Sequence, residues 1–178
     1  MKINLKVNSF VLEIWAEESK CRFYTVRKLD EEFSETDKFF LKFKDEPKFK
    51  RSISELANFI VKYIGQKTGA LSYLFRFENK AHALPPPSKY TFSQLEIKTK
   101  DFPLRLYCLR ISNEIVILFN GTEKNSQKAQ EGNTKKFFEE ANYFASKIDE
   151  AIINKEIILN FKEGKITSTN GGNKIEIN

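Results

Sequence analysis

Arg105 and Tyr107 stand two residues apart in the run Leu104 to Ile111, so on a regular β-strand their side chains share one face with Leu109. Leu106, Cys108 and Arg110 occupy the other face, which separates Arg110 from the pair unless a bulge intervenes. A guanidinium keeps its charge and donates two hydrogen bonds at once, which suits a phosphate, and an aromatic ring beside it can stack on an unpaired base. Other catalysts are scarce. His82 is the single histidine, and Cys21 and Cys108 lack CxxC spacing, so most metal sites and histidine-dependent nucleophilic schemes are excluded. No GxGxxG, GxxxxGK[ST] or GxSxG motif is present. Any catalysis must use lysine, arginine, tyrosine or carboxylates, with no cofactor and no metal expected.

These residues sit in a chain of 178 residues and 20.8 kDa, read as a single domain over 1–178. Thirty basic residues against 24 acidic ones give a net charge of +6. Eight of the basic residues lie within 98–136 beside four acidic ones, so that stretch holds +4 of the total. Such a concentration favours a polyanion, although lysines between strands commonly form only a solvated surface. With 40% hydrophobic residues and only seven Gly and five Pro, disorder is not expected. The longest uncharged apolar run, Ile115 to Phe119, is too short to cross a bilayer, and the amino terminus lacks the apolar core of a secretion signal. A cytoplasmic protein without membrane contact is expected. Cys21 and Cys108 read as reduced packing residues and His82 as a loop residue.

The elements that must position the candidate groups follow from periodicity. Residues 2–7 and 10–16 alternate apolar and polar and read as a hairpin, with a further extended segment over 22–26. Ser34 to Asp37 reads as a helix start, and Phe39, Phe40 and Phe43 share one side of a helix that Pro47 should stop. Ser52 to Glu55 forms a capping box ahead of Ile53, Leu56, Ile60 and Ile64, a second helix expected to end at Gly65. Residues 71–77 fit either strand or helix, and Pro85 to Pro87 requires an extended connection. Three strands are expected over 91–98, 104–111 and 114–119, the last apolar on both faces and therefore central. An amphipathic helix should cover Phe137 to Ile152, followed by terminal hairpins near 157–161 and 175–177.

The stretch 104–128 resembles the central strands of the RelE/HigB branch of type II toxins. Arg105-Leu-Tyr107, the Ser112-Asn113 turn, the apolar strand Ile115 to Phe119, the stretch Lys124 to Lys128 with its Gln127-Lys128 pair, and a closing helix from about Lys135 to Ile153 follow the family's order. In layout the resemblance spans 20–153. It implies an α+β fold whose antiparallel central sheet packs with an amino-terminal helical pair and a carboxy-terminal helix, here with extra hairpins at both ends. It also implies a metal-independent endoribonuclease that cleaves mRNA, often on the ribosome, and is neutralised by a cognate antitoxin. Arg105, Tyr107, Lys124 and Lys128 would then be the catalytic set, with Lys98, Lys100, Arg110, Gln127 and Lys135 contacting RNA. The chain departs from the family in being longer and in carrying Glu123 and Glu131 among the loop lysines. An alternative is a non-catalytic α+β module that binds nucleic acid or protein through the basic 98–136 region. A third reading is an accessory protein whose sheet edges pair with a partner strand.

Overall fold

The computed structural model describes residues 9–87, 97, 99–124 and 133–178. Among these, strands β1 (Phe10–Glu17), β2 (Arg22–Lys28), β3 (Arg76–Glu78), β4 (Ala81–Leu84), β5 (Leu104–Arg110), β6 (Ile115–Glu123) and β9 (Ile175–Ile177) form one sheet in the order β3-β4-β5-β6-β2-β1-β9. Strands β7 (Ile157–Asn160) and β8 (Lys165–Ser168) form a separate hairpin. Every pairing is antiparallel except β2 with β6. Helices α1 (Glu35–Lys44), α2 (Lys50–Asn58) and α3 (Asn133–Ile153) complete a mixed α+β fold.

The sheet is covered on both faces, which explains why β6 is apolar from Ile115 to Phe119. One core gathers Phe39, Phe43, Leu56, Ile60 and Ile64 of the helical pair over Leu106, Cys108, Val116 and Leu118. The other packs Ala141, Phe144, Ala145 and Ile148 of α3 over Tyr107, Leu109, Ile117 and Phe119, with Ile157 and Ile166 of the β7-β8 hairpin beside them. Alternate residues of β5 and β6 thus feed opposite cores.

Several elements depart from their sequence expectations. Strand β1 pairs with β2, and over Phe10 to Leu12 with β9; the expected 2–7 strand lies outside the described residues. Helix α2 begins at Lys50, so Ser52 lies inside it and forms no capping box. The turn after α1, closed by Phe49 N–H to Glu46 O, starts the helix early. Beyond Asn58 it continues as a π-helical segment, Phe59–Thr68, through Gly65 to Gly69, whose φ of 75° ends it. The ambiguous 71–77 stretch divides into a 3₁₀ turn, Ser72–Leu74, and β3. His82 lies in β4 rather than a loop, because Asn79, with φ 67°, turns the chain back into a tight hairpin. Of the expected strand 91–98 only Ile97 is described. β9 joins the large sheet instead of a terminal hairpin.

Two features shape the centre. Pairing of β5 with β6 shifts register between Leu106↔Gly121 and Cys108↔Leu118, so Tyr107 faces a bulge at Phe119-Asn120. A Cβ on Gly121 would fall 2.1 Å from the Arg105 carbonyl oxygen and 2.8 Å from the Phe39 ring. Gly121→Ala is therefore expected to destabilise the protein by about 2 kcal/mol through forced displacement of β5, measured as a lower urea midpoint. Parallel pairing of β2 with β6 ends at Thr25↔Leu118, immediately before the bulge. There Thr36 bridges the parting strands: its hydroxyl bonds the Thr25 hydroxyl at 2.6 Å and donates to Phe119 O at 3.1 Å.

Candidate active site

Arg105 and Tyr107 both turn toward α3, as the strand geometry requires. Together with Glu78 of β3 and Thr134, Lys135, Phe138 and Glu139 of α3 they line a cleft of about 460 Å³. Within this lining one Arg105 guanidinium nitrogen lies 3.3 Å from the Glu78 carboxylate, with side chains 20% and 17% exposed. Arg76 adds a second guanidinium beside this pair. Its Nε donates to Pro85 O at 3.3 Å, and burial and the neighbouring Arg105 charge lower its pKa. Arg76 does not line the cleft, whose charged lining is Arg105 and Lys135 against Glu78 and Glu139, but its charge adds to that of Arg105 beside the shared carboxylate.

Tyr107 is only 1% exposed, its ring edge-on to Phe138 at 6.2 Å. Stacking on a base, the role its residue type suggested, is closed to it. Its hydroxyl instead bonds Arg105, and burial raises its pKa, so it stays protonated and fixes the guanidinium in the cleft. Lys135 lines the mouth, 3.8 Å from Glu139 one helical turn on.

The other expected site residues scatter. Lys124 is exposed just beyond β6, its N–H bonding Pro103 O at 2.6 Å, at the same sheet end as Arg105 but not lining the cleft. Lys100 is exposed in the turn before β5. Lys98, Gln127 and Lys128 lie outside the described residues. Arg110 sits at the far end of β5, about 16 Å from Arg105 at strand rise, where it donates to Ala70 O and to Asn113 Oδ1 at 2.7 Å. The structure does not bring it to the cleft. His82 is half-buried with its Nδ1 accepting the Arg110 backbone N–H at 3.3 Å, and burial and the Arg110 charge lower its pKa. Cys21 and Cys108 are buried free thiols; burial pushes Cys21 up to about 12 and Cys108 well above its usual value.

Sequence reasoning missed Glu78, Arg76 and Glu139. The first two depend on the β3-β4 hairpin, whose Asn79-Lys80 turn lacks the glycine that usually marks one. Glu139 follows Lys135 by four residues, a spacing legible once the helix is placed.

A second ionic cluster fills the wedge where β2 and β6 part. Glu35, 1% exposed, accepts Lys38 Nζ at 2.6 Å and Asn120 Nδ2 at 3.0 Å, and Lys28 Nζ lies 3.9 Å away. Lys28 also bonds Glu140 of α3 at 3.0 Å, and Lys38 pairs with Glu31. Burial opposes ionisation of Glu35, but the bonds from Lys38 and Asn120 and the charge of Lys28 outweigh it and hold its pKa low. Burial and the Glu35 charge push the Glu140 pKa up, against the opposing pull of Lys28. The two buried carboxylates are covered by the partly exposed Lys28 and Lys38, and the cluster ties α1 to α3.

Among the described residues no His, Cys, Asp and Glu group could hold a metal, and no helix is long and apolar enough to cross a membrane. In comparisons with known proteins, no family model, curated protein or solved structure matches this chain.

Proposed function

We propose that the chain is an endoribonuclease of the RelE/HigB kind, cleaving mRNA in the Arg105 cleft and restrained by an antitoxin protein. The observation that carries this reading is the meeting of Arg105 and Glu78 at 3.3 Å inside an open cleft lined by Lys135. Cleavage through the 2′-hydroxyl needs a proton acceptor near that oxygen and donors for the charge that develops on the phosphate. Glu78 is the acceptor. Arg105 receives the phosphate, with Arg76 adding positive charge beside it and Tyr107 as a positioning residue behind it. The 2′-oxygen bonds to phosphorus as its proton passes to Glu78, the bond to the 5′-oxygen breaks, and that oxygen takes a proton from solvent. The products are a 2′,3′-cyclic phosphate and a 5′-hydroxyl end.

Support for the reading comes from the adjacency of β2, β6 and β5, with a helical pair after β2 and α3 after β6. Glu78→Gln keeps the shape of the acceptor but not its basicity. It is expected to lower cleavage of a synthetic RNA by about 10²-fold in EDTA-containing buffer, the low end for loss of a general base, read from cyclic-phosphate product on a gel. Undiminished cleavage in this variant overturns the assignment of Glu78. The non-catalytic module has one observation in its favour, the engagement of Glu78 with Arg105. It predicts RNA binding without a cyclic phosphate at any protein concentration.

A further inference from the structure

The basic residues of the chain are not confined to 98–136. The corner between α1 and α2 carries exposed Lys42 and Lys48, and folding sets it against the first turn of α3 and the end of β6. Lys42 Nζ lies 5.0 Å from the centre of the Phe43 ring and 5.5 Å from that of Phe137. Lys136 Nζ approaches the same Phe137 ring at 5.8 Å, so two ammonium groups from different elements converge on one half-buried aromatic. Lys48 Nζ sits 4.6 Å over Phe49 and 3.3 Å from Glu123, the residue before Lys124.

Lys42 and Lys136 thus meet at one ring, and six residues on from Lys42, Lys48 engages Glu123, next to the exposed Lys124, with Asp45 and Glu46 on the turn between Lys42 and Lys48. Aromatic rings hold ammonium groups in place without neutralising them, so the face keeps its charge for an outside anion. It adjoins the cleft, because Lys136 and Phe137 belong to the same turn of α3 as Thr134, Lys135 and Phe138.

We propose that this face, Lys42, Lys48, Lys124 and Lys136 around Phe137, binds the phosphates of single-stranded RNA where the strand leaves the cleft. The proposal rests on the ribonuclease reading of the cleft. A volume of about 460 Å³ suits one splayed nucleotide, and flanking nucleotides must then cross an outer surface.

The test uses a fluorescein-labelled 2′-O-methyl oligoribonucleotide of about 12 nucleotides, which has no attacking hydroxyl, and measures anisotropy over a KCl series. Replacing Lys42 and Lys136 together by glutamine is expected to weaken binding about tenfold at low salt. The slope of log K against log[salt] should fall by about 1.4, from two lost contacts at about 0.7 each. The pair Lys48→Gln and Lys124→Gln should act in the same direction, with thermal melts confirming that both proteins fold. Unchanged affinity and slope in both variants overturn the proposal and leave an acidic protein surface as the ligand of these lysines. Cleavage of the unmodified oligonucleotide by wild type, measured in parallel, separates the two readings. Lysine-dependent binding without cleavage supports the face and removes the catalytic reading, whereas cleavage with lysine-independent binding does the reverse.

Discussion

Replacing Arg105 with alanine is expected to reduce RNA cleavage by about 10³-fold, the loss that follows removal of a donor aimed at developing charge. Three features concentrate the effect on this residue. Its guanidinium stands 3.3 Å from Glu78, the proposed proton acceptor, so phosphate bound to it brings the 2′-oxygen toward that carboxylate. Tyr107 bonds it from behind, and Arg76 holds a second positive charge alongside. Arg105→Lys keeps a charge but loses the planar fork, and should recover only a small part of the activity. Both variants should fold, because Glu78 retains Arg76 as a neighbouring countercharge. Initial rates on labelled RNA, with circular dichroism spectra beside them, check the pair. Full activity in Arg105→Ala contradicts the site.

Glu35→Ala is expected to cost about 3 kcal/mol, the scale of removing one partner from a buried ionic network. The measurement is a urea midpoint, or a melting temperature lower by about 6–12 °C for a chain of this size. Loss of this carboxylate leaves Asn120 without its acceptor and weakens the hold of α1 on Lys28 and Lys38. The pH dependence has a definite sign. Glu35 titrates below its unfolded value, so its stabilisation is complete above that value, about 4.3, and disappears as pH falls through the folded pKa. Glu140 is shifted upward, so its contribution favours the fold at low pH and declines as pH rises from the unfolded value toward the folded one. Below about 4.3 the Glu140 contribution is fully present and only the Glu35 term changes, so wild type should lose stability more steeply than Glu35→Ala as pH falls from that value, compared by urea titrations from about pH 4.3 downward.

Much of the scaffold is legible from local pattern. Ser34 caps α1 by accepting the Asp37 N–H, and the apolar stripe from Phe137 to Ile152 builds α3 against the sheet. The shared face of Arg105 and Tyr107 follows from strand alternation alone. What escapes the sequence is non-local. Residues 76–78 become a strand because Ala81 to Leu84 pair with them and with β5, an environment that the 71–77 periodicity does not contain. Ser52 loses its capping role because the preceding turn nucleates α2 early, and Gly65 fails to stop the helix because the chain continues in π-helical form past it. Burial also reversed one functional expectation: Tyr107 has the residue type of a base-stacking platform, but Phe138 and the second core enclose its ring. Glu78 could not be proposed before its hairpin was seen, and the Lys42–Phe137–Lys136 arrangement joins residues nearly a hundred positions apart.

Cleavage of RNA in the Arg105 cleft is open to measurement in cells after tightly induced expression of wild type and Arg105→Ala, with total RNA sequenced for new 5′-hydroxyl ends. Growth arrest with new ends is expected in wild type, and neither in the variant. Normal growth with intact RNA in both strains, or new ends that persist in Arg105→Ala, would contradict it.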